Sequence, residues 1–427
     1  MSSSPNVIVF FTDQQRWDSV GLHGNPLSLT PHFDRLAAEG MFVPNSFTCQ
    51  PVCGPARSAL QTGRYPTTTG CFRNDIPLPV GQKTLAHHFA AGGYETSYIG
   101  KWHLASQDPV PLAQRGGYQH WLASNILEFT SYAYDTTMFD DAEEAVKLPG
   151  YRVDALTDAA IRYVTKPKDK PFFLFLSFLE PHHQNEFDDY PAPVGYEDRI
   201  RKNMQLPPDL QALQGSSNEH YPGYMGMVQR LDEALGRLID SLISSKQLDN
   251  TIILFTSDHG CHFKTRNSEY KRSCHEASIR VPTFFHGPGL MNRGPYDGLV
   301  SLIDLPPTLL DAAGLPIPTE MQGQSILRRT STPDDNVFIQ ISEHHVGRAL
   351  RTWRWKYEVT AGDLSGSADM NSPRYQETYL YDLENDPYEL ENLCDRQDYA
   401  DVRNVLRAEL LQRIIDAGEP RPVITST

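Results

Sequence analysis

Val7-Ile8-Val9-Phe10-Phe11-Thr12-Asp13-Gln14 decides the fold: five apolar residues in a row, then a hydroxyl, a carboxylate and an amide. A short unbroken apolar run closed by polar residues has the character of a strand buried on both faces. Three further stretches of strand character end in the same way, in polar residues. Glu95-Thr96-Ser97-Tyr98-Ile99 leads into Gly100-Lys101-Trp102-His103, Phe172 to Phe178 leads into Glu180-Pro181-His182-His183, and Ile252-Ile253-Leu254-Phe255 leads into Thr256-Ser257-Asp258-His259-Gly260.

Helical patterns lie between these runs. Thr30-Pro31 supplies an N-cap and a first-turn proline for a helix that Gly40 ends, and Thr84 opens another that reaches Gly92-Gly93. Tyr224 to Ser244 carries an apolar stripe through Met225, Val228, Leu231, Leu235, Leu238 and Leu242. Strands alternating with helices predict an α/β fold with a large, mainly parallel sheet covered on both faces. Ligands bind such sheets outside the carboxyl ends of the strands, so Asp13, Lys101, His103, His182, Asp258 and His259 are expected to converge. One Asp or His after a strand is ordinarily a cap or turn residue; four clusters at four strand ends carry the inference.

The chain has 427 residues, with 38 Lys+Arg against 53 Asp+Glu, a net charge of -15 and a pI near 5.4. Nucleic-acid backbones are held by excess cations, so that class of partner is excluded. With 39% hydrophobic residues, a mean hydropathy of -0.46 and no long apolar run, a membrane role is also not expected. Met1-Ser2-Ser3-Ser4-Pro5-Asn6 lacks the plan of a signal peptide, which gives a cytoplasmic expectation. Cys49, Cys53, Cys71, Cys261, Cys274 and Cys394 are too few for a disulfide framework and are expected to be reduced. A homo-oligomer is compatible with the composition.

Asp13, Asp258 and His259, with the amide oxygen of Gln14, form an oxygen-rich set suited to a hard divalent cation: Ca2+, with Mn2+ or Mg2+ as alternatives. A zinc set from Cys261, His262, Cys274 and His275 lacks C-x-x-C or H-x3-H spacing. Pro51-Val52-Cys53-Gly54-Pro55-Ala56-Arg57 reads as a loop feeding a helix that Gly63 stops. Cys53 then lies at a helix N-terminus, where free N–H groups and Arg57 favour an anion. From these residues alone Cys53 is either a nucleophile beside an oxyanion site or a small buried cysteine at a tight turn.

Cys53-Gly54-Pro55-Ala56-Arg57 resembles the C-x-P-x-R signature of the type I, formylglycine-dependent sulfatases of the alkaline-phosphatase-like superfamily, and Ser58-Ala59-Leu60-Gln61-Thr62-Gly63-Arg64 continues it. The resemblance runs through Thr12-Asp13-Gln14, Gly100-Lys101-Trp102-His103, Pro181-His182, Thr256 to Gly260, Lys271 to Glu276 and Leu380 to Pro387. It implies that a maturation enzyme oxidises Cys53 to formylglycine. One hydroxyl of the hydrated aldehyde attacks the sulfur of a sulfate ester and expels the alcohol; loss of the second hydroxyl's proton ejects sulfate and restores the aldehyde. It further implies that Asp13, Gln14, Asp258 and His259 hold the metal, and that Arg57 steadies the aldehyde. Lys101 and His103 would contact nucleophile and sulfate, and His182 with Lys271 would face the leaving oxygen. Gln14 departs from the paired aspartates frequent in the family and resembles phosphonate monoester and phosphodiester hydrolases, the alternative activity; the intact Lys101 and His103 favour the sulfatase.

The family also implies a catalytic domain at 1–330 and a C-terminal subdomain at 331–427, a smaller antiparallel sheet plus helix. Val337 to Ser342, Trp355 to Val359 and Thr378 to Tyr381 read as its strands, and Val402, Val405, Leu406, Leu410 and Ile414 mark a closing helix. Arg73, Asn74, His262, Arg266, His275, His344 and His345 are the expected substrate contacts, with Trp121, Glu128, Gln184, Asn185, Glu343 and Arg348 beside them. Polar groups with interspersed aromatics suit a sulfated saccharide.

Overall fold

The structure, a computed structural model, describes residues 4–426 except 331, 333 and 334. In chain order its strands are β1 (Asn6–Thr12), β2 (Met41–Phe42), β3 (Ser46–Phe47), β4 (Glu95–Lys101), β5 (His120–Ser124), β6 (Thr136–Phe139), β7 (Ala145–Leu148), β8 (Phe172–Ser177), β9 (Thr251–Ser257), β10 (Phe284–His286) and β11 (Val300–Ser301). The C-terminal strands are β12 (Asn336–Ile341), β13 (Val346–Thr352), β14 (Trp355–Ala361), β15 (Arg374–Asp382) and β16 (Val423–Thr425).

The large sheet has the order β2-β10-β9-β1-β8-β4-β5-β6-β7. Its centre, β9 to β5, is parallel, and the antiparallel pairs lie at its two edges. β1 is buried from Val7 to Thr12 because helices cover both faces, which is why its apolar run does not alternate. The four strands read from sequence, β9, β1, β8 and β4, are neighbours in that order. Adjacent strands lie about 4.8 Å apart, so their carboxyl ends fall within about 15 Å. Gly100 is required where β4 meets β8: a Cβ there would stand 1.7 Å from the Ser177 carbonyl oxygen, and its φ is +113°.

Thr30 occupies the N-cap of the Pro31–Glu39 helix but makes no cap bond. Asp232, from the Ser217–Ser244 helix, accepts the His32 and Phe33 N–H groups at 3.0 and 2.7 Å instead, a cap from a distant carboxylate. That long helix begins seven residues before the predicted Tyr224 and contains Pro222. Proline removes the bond to the carbonyl four residues back, and Arg201 donates to that Asn218 oxygen at 3.3 Å.

The second sheet, order β12-β13-β14-β15-β16, is antiparallel except that β16 runs parallel to β15. The Ala400–Asp416 helix carries the chain back between those two strands, as a parallel pair requires. No helix among the described residues is long and apolar enough to cross a membrane.

Candidate active site

The strand ends meet around Cys53. Cys53 is the first residue of the Cys53–Thr62 helix, Val52 before it is extended, and Gly63 closes the helix at φ 67°. All ten helix residues are buried, which fixes the direction in which Cys53 faces. Around its Sγ lie Lys271 Nζ at 2.8 Å, His259 Nε2 at 3.3 Å and Asp13 Oδ1 at 3.6 Å. Burial pushes the thiol pKa up, but Lys101, Lys271 and His259 outweigh it and hold it well below its ordinary value.

Asp13 is the hub. Its Oδ2 accepts from Arg57 at 2.9 Å and from Lys101 at 2.8 Å, and despite complete burial these cations hold its carboxyl below the usual range. Lys101 Nζ also donates to Glu128 Oε1 at 2.8 Å, so one buried ammonium joins two carboxylates. Arg57 completes its fork on the Lys101 carbonyl and Ser177 Oγ at 2.8 and 2.9 Å. Nothing in the sequence signals the Ser177 contact, because a serine ending an apolar strand is unremarkable in itself.

His259 and His182 have defined tautomers. His259 Nδ1 lies 2.9 Å from the Gly260 carbonyl, which can only accept, so Nδ1 carries hydrogen, and Nε2 lies 3.2 Å from Lys271 Nζ and 3.3 Å from Cys53 Sγ. His182 Nδ1 donates to the His183 carbonyl at 2.6 Å in the same way, leaving Nε2 to accept from Lys271 at 3.1 Å. Burial and Lys271 lower the His182 pKa, so this neutral ring is the stable form.

Asp13, Cys53, Asp258 and His259 offer ligand atoms within 4.8 Å of one another. Burial and the adjacent Asp13 push Asp258 up to about 7, the response of a second buried carboxylate in need of positive charge. The Gln14 amide nitrogen donates to Tyr190 Oη at 3.0 Å, and its Oε1 is buried without a partner. Two carboxylates, an imidazole nitrogen and an unsatisfied amide oxygen fit a hard divalent cation. Gln14 and His103 both have positive φ, 66° and 58°, a strained backbone typical of functional positions.

Above Cys53 opens a cleft of ≈ 640 Å³, lined among others by Arg73, Asn74, His103, Glu128, His182, Lys271 and Glu343. Arg73 and Asn74 are therefore cleft residues, and Asn74 Oδ1 accepts the Gly54 N–H at 2.9 Å. Glu128, Asn185 and Glu343 also line it, whereas His262, Arg266, His275, His344, His345, Arg348, Trp121 and Gln184 lie outside the cleft lining. His262 is fully buried and binds the Lys271 carbonyl at 3.0 Å. Arg266 is spent on the Glu389 and Tyr388 carbonyls, and His275 meets Tyr381 Oη at 3.1 Å. His345 pairs with Glu358 at 2.6 Å, His344 is exposed beside it, and Arg348 is buried against Glu419. Trp121 packs in an aromatic cluster with Tyr98 and Trp102. Sequence proximity to cleft loops cannot reveal which way each side chain turns.

The sulfatase family model matches residues 5–315, and the model for the C-terminal part of N-sulphoglucosamine sulphohydrolase matches residues 268–416. An ulvan-active sulfatase of Formosa agariphila is 30% identical, across 98% of this chain and 82% of its own length. The N-acetylglucosamine-6-O-sulfatase of Bacteroides thetaiotaomicron is 26% identical, across 93% and 84%. The crystal structure of the phosphonate monoester hydrolase of Agrobacterium radiobacter shares the fold, with a TM-score of 0.71, 21% identity, and 97% and 96% of the two chains covered. With a family model spanning its parallel-sheet region and a 30% identical sulfatase along nearly all its length, this chain belongs to the sulfatase family.

Proposed function

We propose that the protein is a sulfuric ester hydrolase that cleaves a sulfate monoester on a carbohydrate, with formylglycine formed from Cys53 as the nucleophile. The observation that carries the proposal is Cys53 at a buried helix N-terminus, at the floor of a cleft, ringed by Lys271, His259 and Asp13. Formylglycine would supply a hydrated aldehyde whose hydroxyl attacks sulfur, and a Ca2+ ion, or Mn2+ or Mg2+, held by Asp13, Gln14, Asp258 and His259 would supply positive charge beside it.

The chain's own residues do the rest. Arg57 holds Asp13 and the backbone of Lys101, so nucleophile, metal ligands and β4 keep one geometry. Lys101, His103 and the helix N-terminus aim positive charge and N–H donors at the sulfate oxygens, where charge develops as the ester breaks. Lys271, buried in the cleft lining with Nζ 3.1 Å from His182 Nε2, carries the proton for the departing alcohol oxygen. His182 accepts from Lys271 and orients that proton.

The carbohydrate substrate is supported by the names of the relatives, an ulvan-active sulfatase and an N-acetylglucosamine-6-O-sulfatase, and by the polar cleft with Arg73, Asn74 and Asn185 on its walls. Six buried, unpaired cysteines support a reducing, cytoplasmic compartment. Maturation by a formylglycine-generating enzyme follows from the role given to Cys53. We also place the domain division at 1–330 and 331–427, between the large sheet and β12; residues 331, 333 and 334 lie outside the described residues.

A second reading, phosphonate monoester or phosphodiester hydrolysis, is favoured by Gln14 alone: an amide in place of a carboxylate leaves the metal set less negative. The test is turnover by the converted protein of sulfated saccharides, an aryl sulfate and a phosphonate monoester, each under the same conditions. Sulfated saccharides are expected to give the highest kcat/KM. A preference for the phosphonate would establish the second reading, and a large preference for the aryl sulfate over every saccharide would remove the carbohydrate assignment.

A further inference from the structure

We propose that Glu343 is a positioning residue for the nucleophile. It stands in the turn between β12 and β13, and its carboxylate clamps the two loops that flank Cys53. Oε1 accepts the Asn74 backbone N–H at 2.6 Å, and Oε2 accepts from Arg272 Nε at 2.6 Å.

Each contact leads directly to the reacting residue. Asn74 Oδ1 takes the Gly54 N–H at 2.9 Å, one residue after Cys53, so the position of Asn74 sets the N-terminus of the Cys53–Thr62 helix. Arg272 follows Lys271, whose Nζ is 2.8 Å from Cys53 Sγ, and the Arg272 N–H reaches back to the Pro51 carbonyl at 3.3 Å. One carboxylate from the second sheet thus ties the helix that presents Cys53 to the segment that carries Lys271, where Arg272 also pairs with Glu269. With both oxygens engaged, Glu343 acts through Asn74 and Arg272.

The backbone carries a second, independent sign. Glu343 has φ 65°, a left-handed conformation that glycine adopts freely and glutamate does not. The conformation is enforced from outside: the Glu343 N–H donates to the Gly366 carbonyl at 2.8 Å, and a Cβ on Gly366 would stand 2.8 Å from that nitrogen. A strained glutamate where glycine would be easier marks a side chain that is used.

The inference rests on the sulfatase reading, in which Cys53 supplies the nucleophile and Lys271 faces the leaving group. Its test compares the wild type with Glu343→Gly, which suits the turn, and Glu343→Gln, which keeps an acceptor for Asn74 and loses the charge on Arg272. With 4-nitrophenyl sulfate, and kcat normalised to the fraction of Cys53 converted as measured by mass spectrometry, Glu343→Gly is expected to lose about 10- to 100-fold in kcat. KM should stay within about threefold, Glu343→Gln should fall between the two, and Tm should hold within about 4 °C. An unchanged kcat, a change in KM alone, or a loss of activity in both variants that follows a fall in Tm would overturn the clamp. A wild type inactive on every sulfate ester would instead overturn the sulfatase reading, so the two failures are distinguishable.

Discussion

Lys271 Nζ lies 2.8 Å from Cys53 Sγ although 218 positions separate the two in sequence. The same ammonium reaches His182 and His259 at 3.1 and 3.2 Å, so it is fixed over the nucleophile by groups from three different loops. Replacing Lys271 with Met is expected to lower kcat by about 10²- to 10³-fold, with Lys271→Arg recovering part of it. Steady-state rates on esters of graded leaving-group pKa provide the check. The loss should grow as the leaving alcohol becomes more basic; an equal loss across the series would remove Lys271 from proton donation.

Metal removal should both inactivate and destabilise. Asp13 and Asp258 are fully buried carboxylates, and without a cation Asp258 is pushed up to about 7 by burial and by Asp13. Dialysis against a chelator should lower Tm, and Ca2+ at a hundredfold excess over Kd should restore it, adding roughly 2.7 kcal/mol of stability. Asp258→Ala should show no Ca2+-dependent shift in scanning calorimetry. A wild type whose Tm ignores both chelator and Ca2+ would argue against the metal assignment.

Glu128 is the second counter-ion of Lys101, and the cationic neighbours hold its pKa down to about 2 despite burial. Glu128→Gln should cost about 2 kcal/mol by urea unfolding, because a charge-assisted hydrogen bond in a buried site becomes a neutral one. Activity should fall by about tenfold as Lys101 shifts toward Asp13. Stability unchanged within about 0.5 kcal/mol would show that Lys101 depends on Asp13 alone.

His345 gives the fold a pH-dependent element away from the cleft. Burial alone would lower its pKa, but Glu358 at 2.6 Å raises it above the ordinary histidine value. A raised folded pKa means that the pair's stabilisation is complete below about pH 6.5 and is lost as pH rises through the folded value. His344, whose Nδ1 faces His345 Nδ1 at 2.9 Å, accepts charge less readily because its ring is partly covered and because of His345 itself. The Tm difference between wild type and His345→Gln should therefore be largest near pH 6, corresponding to about 1 kcal/mol, and shrink toward pH 8.5. A difference that grows with pH would reverse the assignment.

The parallel sheet was legible because β1, β8 and β9, buried on both faces, leave unbroken apolar runs, and the site was legible because those strands and β4 end at it in polar clusters. β6 and β7 were not, since Thr136–Phe139 and Ala145–Leu148 sit at an edge with mixed burial and no strong pattern. β13 was hidden by its buried Arg348 and Arg351, which pair with Glu419 and Glu276 from elsewhere in the chain. The same limit applies to the cleft. The residue types near it could be read, but His262 and His275 turn inward and Arg266 is spent on backbone carbonyls, and only tertiary packing sets those directions. Glu343, by contrast, owes its place in the cleft to a contact between the two sheets' loops.

The most direct measurement is mass analysis of the peptide containing Cys53 after expression with a formylglycine-generating enzyme, read beside sulfate release by the same sample. Replacement of the Cys53 sulfur by an aldehyde oxygen is expected, with sulfate release proportional to the converted fraction and absent in Cys53→Ala. A Cys53 that is never converted, or a Cys53→Ala protein that retains full activity, would contradict the mechanism.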